Sequence, residues 1–134
     1  MIEYMLIAGA GGFLGTCCRY LTGVAGKKLF GDKYPAGTFA VNIAGCFIIG
    51  LLVGFLGHHE MDVFMGVKLD SANIAVLNAL LVSGFCGGFT TFSSFSHDSY
   101  AMIIKGEWVK FAFYIVPTVV LGLLFVWLGI RCAA

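Results

Sequence analysis

A run of glycine, hydroxyl and phenylalanine residues interrupts a long apolar stretch of the chain. The run reads GFCGGFTTFSSFS and occupies positions 84–96. Its glycine pair loosens a helix, and its hydroxyls need hydrogen-bond partners in a medium without bulk water. Irregular backbone at membrane depth is tolerated only where it is buried in protein or lines a cavity, and in transporters it binds ions there. The run therefore predicts the functional part of the molecule.

The composition indicates a membrane protein. Of the 134 residues, 60% are apolar and only 11% are charged, whereas about a quarter of a soluble domain is charged. We therefore predict a multi-pass protein of the cell membrane, with lipid as a partner. A formal net charge of +1 gives no support for a nucleic-acid partner. The sequence has no Ser-His-Asp arrangement and no phosphate-binding loop, so we do not expect an enzyme.

Four apolar stretches are long enough to cross a bilayer as helices, which takes about 20 residues each. They cover residues 4–24, 36–56, 72–102 and 109–130. The expected fold is all-α, with residues 1–134 forming a single domain of four transmembrane helices. The third helix is expected to break in mid-membrane at the glycine–hydroxyl run. Four short helices enclose too little volume for an ion path of their own, so we also expect an oligomer.

Glycine spacing is a second reason to expect close helix contacts. Three Gly-x-x-x-Gly pairs let helix backbones approach closely, and we expect them to support an oligomer. The pairs are Gly11 and Gly15, Gly50 and Gly54, and Gly84 and Gly88.

Basic residues are divided unequally between the two sides of the predicted helices. One side carries Lys27, Lys28, Lys33, Lys105 and Lys110, and the other carries Lys68 and Arg131. Positive residues collect on the cytoplasmic side of membrane proteins. Five against two therefore favours a cytoplasmic location for the first set.

Several polar and aromatic residues lie at predicted membrane depth. Asn42 carries two amide donors that either hydrogen-bond a neighbouring helix or contact a desolvated anion. Phe92 and Phe95 share one helix face, and the positive edge of a phenyl ring suits an anion. Arg19 either extends to the lipid headgroups or lines a vestibule. The role of His97 and Asp98, as a proton-coupling pair or as partners of nearby hydroxyls, stays open.

The donors in these stretches are mostly uncharged. Amide, hydroxyl and aromatic-edge donors suit the passage of an anion, because a deep cation would trap it in a low-dielectric site.

Three segments of the chain resemble the signature stretches of one known family. They are GGFLGTCCRY at 11–20, GTFAVNIAGCFIIG at 37–50 and GFCGGFTTFSSFS at 84–96. Together they closely resemble the Fluc, or CrcB-like, fluoride channel family, across all four predicted helices and in the same order. The resemblance implies a passive, fluoride-selective channel that exports cytoplasmic fluoride and so protects against its toxicity.

The same resemblance implies an antiparallel, dual-topology homodimer with two pores. It implies a structural Na⁺, not transported, on the backbone carbonyls of Gly87 and Thr90 of both subunits. It also implies a vestibule at Arg19 and a fluoride pathway along one set of residues: Asn42, Thr91, Phe92, Ser94, Phe95, Tyr114 and Thr118. The unequal lysine count keeps an opposite-facing paralogous subunit as an alternative to the homodimer.

A small dual-topology drug/proton antiporter also has four helices and is the alternative function. It requires a buried carboxylate in its first helix, whereas Glu3 lies only at the entrance. A membrane thiol-redox enzyme would need accessible paired cysteines, and the adjacent Cys17 and Cys18 are poorly placed for an ordinary disulfide.

Overall fold

The computed structural model describes residues 1–31, 34–57, 63–64, 67–68 and 71–133, and most of them are helical. The helices are α1 (Ile2–Phe30), α2 (Ala36–Gly57), α3 (Ser71–Leu77), a π-helix here named π1 (Asn78–Cys86), α4 (Gly87–Phe89), α5 (Phe92–Ile104) and α6 (Trp108–Ala133). Two strands, β1 (Val63–Phe64) and β2 (Val67–Lys68), pair antiparallel with Val63 opposite Lys68. The predicted all-helical class is confirmed, apart from this one short pair.

Three helical segments of the described chain are long and apolar enough to cross a membrane. They are Ala36–Leu56, Ser71–Ile104 and Trp108–Ala133. A multi-pass membrane protein is therefore confirmed. Helix α1 has 29 residues but is not among the three, because Arg19 and its many glycines lower its hydropathy. A fourth crossing stays a prediction.

Most large apolar side chains of the four long helical segments point outward. Phe13 of α1 is 69% exposed and Leu123 of α6 is 70% exposed. Apolar surface on this scale belongs against lipid or another protein. The few fully buried side chains, Val41, Cys86 and Tyr114, lie where the helices meet.

Glycines allow the helix backbones to touch. Helix α2 packs along α6, where a methyl group on Gly50 would overlap the Val126 carbonyl and one on Gly129 would lie 2.5 Å from the Phe47 carbonyl oxygen. Helix α1 packs along π1 through Gly11 and Gly15. These contacts are made within one chain, so the glycine pairs give no argument for an oligomer.

The helix ends place several charged residues together. Lys27 at the end of α1 and Lys105 after α5 line one cavity of 250 Å³ with Glu107. Glu107 accepts a 2.6 Å hydrogen bond from Lys110, which lowers the pKa of its carboxyl group. Four of the five lysines assigned to one side, Lys27, Lys28, Lys105 and Lys110, thus belong to the same end of the bundle. The fifth, Lys33, lies outside the described residues.

A glycine-to-alanine comparison tests the packing of α2 on α6. Gly50→Ala should lower the free energy of unfolding by about 1–3 kcal/mol, because its methyl group meets backbone that cannot move aside. Gly9→Ala is the matched control, since a methyl group there meets nothing within 4 Å. Thermal unfolding of the two purified variants checks this. Equal melting temperatures would contradict the packing described here.

Candidate functional site

The helical segment 71–104 is interrupted at two threonines. Thr90 (φ −77°, ψ 158°) and Thr91 (φ −149°, ψ 111°) are extended, between the end of α4 and the start of α5. Thr90 closes α4, because its amide and its hydroxyl each donate to the Cys86 carbonyl oxygen at 2.9 Å. Thr91 opens α5 as its N-cap, since its Oγ1 accepts from the Ser94 amide at 3.2 Å.

Asn42 of α2 hydrogen-bonds the extended residue on both of its backbone groups. Its Oδ1 accepts from the Thr91 amide at 2.8 Å, and its Nδ2 donates to the Thr91 carbonyl oxygen at 3.2 Å. In a continuous helix the Thr91 amide would bond the Gly87 carbonyl four residues earlier. The side chain of Asn42 thus satisfies Thr91, and the Gly87 carbonyl is left without its helical partner. One N–H of the Asn42 amide remains for another acceptor.

A hydroxyl cluster follows the break. Thr91 Oγ1 donates to Ser94 Oγ at 3.1 Å and lies 3.2 Å from Ser93 Oγ. Because Ser94 accepts this bond, its own hydroxyl hydrogen is available to another acceptor. The cluster borders a cavity of 550 Å³ that Arg19 and Lys27 also line. The predicted vestibule residue Arg19 therefore lines the same cavity as Thr91 and Ser94.

The phenylalanines lie around a second cavity, of 490 Å³. Phe92 and Phe95 line it together with Asn42, Thr118, Gly87 and Thr90. Phe92 is 80% exposed. A methyl group placed on Gly87 would meet no other described element within 4 Å. This side of the break therefore has room for further protein.

Aromatic rings continue from this cavity along α5 and α6. The centroid distances are 6.0 Å from Phe92 to Phe95, 5.5 Å from Phe95 to Tyr114 and 5.8 Å from Tyr114 to Tyr34. The last pair is edge-to-face at 90°. Burial raises the pKa of the Tyr34 phenol above its ordinary value.

The hydroxyl of Tyr114 is buried without a hydrogen-bond partner among the described residues. Thr38 and Asp98 lie near enough to interact with this hydroxyl, although neither contact meets hydrogen-bond geometry. A buried hydroxyl without a partner costs about 1–3 kcal/mol of stability. An acceptor that binds this hydroxyl would recover that cost. Thr118, one turn further along α6, donates its hydroxyl to the Tyr114 carbonyl at 2.5 Å. Its oxygen can still accept, but its hydrogen is already engaged.

The sequence alone did not identify Thr38 and Tyr34 as members of this region, and it left the role of Asp98 open. Thr38 donates to Asp98 Oδ2 at 3.0 Å across 60 positions of sequence. Both residues line the 250 Å³ cavity with Tyr34. A threonine early in an apolar stretch was a signal that could have identified Thr38, whereas Tyr34 carries no local signal. His97 is exposed and makes no described bond to Asp98.

Removing the Asn42 amide tests the break directly. Asn42→Ala leaves the Thr91 amide and carbonyl without partners, which should cost about 1–3 kcal/mol of local stability. We expect faster hydrogen exchange at Thr91 than in the wild type, by about tenfold or more. Residue-resolved exchange of the reconstituted protein measures it. Ile43→Ala is the control next to it, and similar exchange in both variants would argue against the Asn42 contact.

Comparison with known proteins identifies the family of the chain. The family described as "CrcB-like protein, Camphor Resistance (CrcB)" matches residues 6–130. A protein named fluoride-specific ion channel FluC from Prosthecochloris aestuarii is 37% identical over 96% of this chain and 91% of its own length. Proteins of the same name from Rhizobium etli and Agrobacterium fabrum are each 39% identical over 97% of this chain and 94% of their own length. The chain belongs to the CrcB-like family.

Proposed function

We propose that this protein is a subunit of a passive, fluoride-selective channel that lets fluoride leave the cytoplasm. The buried hydroxyl of Tyr114 is the observation that carries the proposal. This neutral donor, beside the row of aromatic rings, makes no hydrogen bond among the described residues, although Asp98 lies near it. The full-length similarity to proteins named as fluoride channels supports it. Nothing about the described residues favours a drug/proton antiporter.

The donors proposed to contact fluoride are those that still have a free hydrogen. They are the second amide hydrogen of Asn42, the hydroxyls of Ser94 and Tyr114, and the ring edges of Phe92 and Phe95. Fluoride is small and strongly hydrated, so the donors at each site must replace the water molecules that the ion loses there. Thr91 and Thr118 serve the pathway by orienting other groups, because their hydrogens are bonded within the protein.

Electrostatics explains why uncharged donors suffice. Arg19, beside the hydroxyl cluster, attracts anions to the entrance without holding them deep in the membrane. A negative-inside potential favours anion exit by about 2.3 kcal/mol per 100 mV. Fluoride that enters a cell as neutral HF dissociates in the neutral interior, so a passive exit path lowers its concentration there. This would protect the cell from fluoride.

A structural Na⁺ is proposed at the break. The Gly87 carbonyl has lost its helical partner, and the carbonyls of Gly87 and Thr90 are hard, uncharged oxygens of the kind that hard cations prefer. One chain supplies two carbonyl oxygens at the break, so the same two carbonyls of a second subunit would complete the site. Na⁺ held there would supply fixed positive charge between the two interrupted helices.

The second subunit is proposed to be an inverted copy of the same chain, with α1 as the fourth crossing. The open space at Gly87 and the exposed Phe92 side chain are the surfaces that it would cover. Inversion would bring two breaks together at one depth. The surplus of lysines at one end favours a single orientation, so a paralogous subunit facing the opposite way is the alternative assembly.

Fluoride efflux from liposomes that contain only this protein tests the function. Tyr114→Phe removes one buried hydroxyl and should slow efflux about ten- to hundredfold, because hydrogen bonds to charged groups are worth about 1.5–3 kcal/mol. Tyr100→Phe, at an exposed tyrosine of α5, should leave efflux unchanged. Phe92→Ile and Phe95→Ile should also reduce it. Efflux at the wild-type rate in Tyr114→Phe and both phenylalanine variants would reject the pathway.

Sodium replacement tests the cation. Exchange of all Na⁺ for N-methylglucamine, an organic cation too large for two pairs of carbonyls, should reduce fluoride efflux. Readdition of Na⁺ should restore it. Because the Na⁺ is structural, radioactive sodium should not cross the membrane with fluoride. Undiminished efflux after complete and prolonged exchange would remove the Na⁺ from the proposal.

Cysteine labelling tests the inverted assembly. Ile104→Cys, in a background without the native cysteines, adds an exposed thiol at the lysine-rich end and leaves every positive charge in place. An impermeant maleimide should label it from both faces of the membrane in comparable amounts. Native Cys132, kept alone at the opposite end of α6, is the matched control. Labelling of Ile104→Cys from one face only would exclude the inverted homodimer and favour a paralogous partner.

A further inference from the structure

The helix that leads into the break changes its register. Segment π1 has nine residues and is followed directly by α4 and the extended threonines. In a π-helix each amide bonds a carbonyl five residues earlier, and such segments are rare, mostly one turn long and frequent at functional sites. In this pattern the Phe85 amide pairs with the Leu80 carbonyl. The Gly87 amide bonds the Gly84 carbonyl, three residues earlier, and at Thr90, which bonds Cys86, the spacing is four.

Two glycines of α1 contact this helix just before and just after the point where its hydrogen-bond spacing changes. A methyl group on Gly11 would overlap the Leu80 carbonyl oxygen and lie 2.9 Å from the Phe85 nitrogen, the two ends of a π-type hydrogen bond. A methyl group on Gly15 would overlap the Phe85 carbonyl oxygen and lie 2.8 Å from the Phe89 nitrogen, two groups with α-type spacing. One turn of α1 therefore spans the point where the register changes from five to four.

The contact is equally close when viewed from the other helix. A methyl group on Gly84 would lie 2.6 Å from the Ala8 carbonyl oxygen, and one on Gly88 would overlap the Gly12 carbonyl. No side chain separates the two backbones at these points. A side chain at any of these glycines would therefore collide with backbone atoms of the other helix.

We infer that Gly11 and Gly15 are positioning residues, which hold π1 in its π register and so direct the carbonyls of Gly87 and Thr90. Conversion of one π turn to an α turn shifts the following residues by about one position, a rotation of about 100° about the helix axis. The hydrogen bond from the Thr90 amide to Cys86 transmits that rotation to the break. The functional consequence rests on the proposed channel, whereas the effect on carbonyl direction does not.

Two readouts on the reconstituted full-length protein test this. Solid-state NMR measures the carbonyl ¹³C shifts of Gly87, Thr90 and Leu80, and liposome assays measure fluoride efflux. Gly11→Ala and Gly15→Ala should change the carbonyl shifts at Gly87 and Thr90 and slow efflux about tenfold or more, because backbone cannot absorb the added methyl group. Gly9→Ala, with nothing within 4 Å, and Gly12→Ala, 3.8 Å from the Gly84 carbonyl oxygen, should change neither.

The outcomes separate positioning from simple destabilisation. Slower efflux with unchanged carbonyl shifts at Gly87 and Thr90 would overturn the positioning role, as would wild-type behaviour in both readouts. If Gly15→Ala does not fold, Gly11→Ala decides, and Gly84→Ala repeats its test from π1, because a methyl group on Gly84 would lie 3.1 Å from Gly11 Cα. If the wild-type protein carries no fluoride, the proposed function fails. The carbonyl shifts then still decide whether the glycines position the break.

Discussion

The pairing of the Asn42 side chain with the backbone of Thr91 is the interaction on which the site depends. An interrupted helix in a membrane exposes amides and carbonyls that no water can satisfy, and each costs several kcal/mol if it stays unpaired. Asn42 satisfies the amide and the carbonyl of the same residue. This lets the backbone stay extended over two residues, and it leaves the Gly87 carbonyl free. The break is thus a defined geometry, held by a neighbouring helix.

Hydrogen bonding around the break separates supporting hydroxyls from those available to a ligand. Thr90, Thr91 and Thr118 give their hydrogens to protein acceptors. Ser94 and Tyr114 make no such donation among the described residues, and Tyr114 is fully buried. Because a buried donor without a partner is costly, the presence of this hydroxyl favours a role in binding a ligand that accepts its hydrogen for a short time. Residue type alone does not distinguish these two groups, since each contains hydroxyls within or near one polar run.

Glycines give this small bundle its rigidity. They bring α1 against π1 and α2 against α6 until backbone meets backbone, which leaves no space for a side chain at these positions. Since the apolar faces that remain are turned outward, little hydrophobic core forms inside one chain. Among the described residues, the largest fully buried side chains are those of Val41, Cys86 and Tyr114. A chain built in this way needs lipid, and in our proposal a second subunit, to cover it.

Local sequence determined much of this protein. The apolar stretches specified helices because a membrane leaves the backbone few alternatives, and the glycine–hydroxyl run marked the break because such residues do not continue a lipid-facing helix. Asn42 was recognisable as a polar group at depth, with its partner undecided. The tertiary structure decided that partner, 49 positions away, and likewise joined Thr38 to Asp98. It also decided the π register, for which the apolar residues before Gly84 give no local signal. Contacts between distant segments select these features, because each depends on which backbone atoms the neighbouring helix presents.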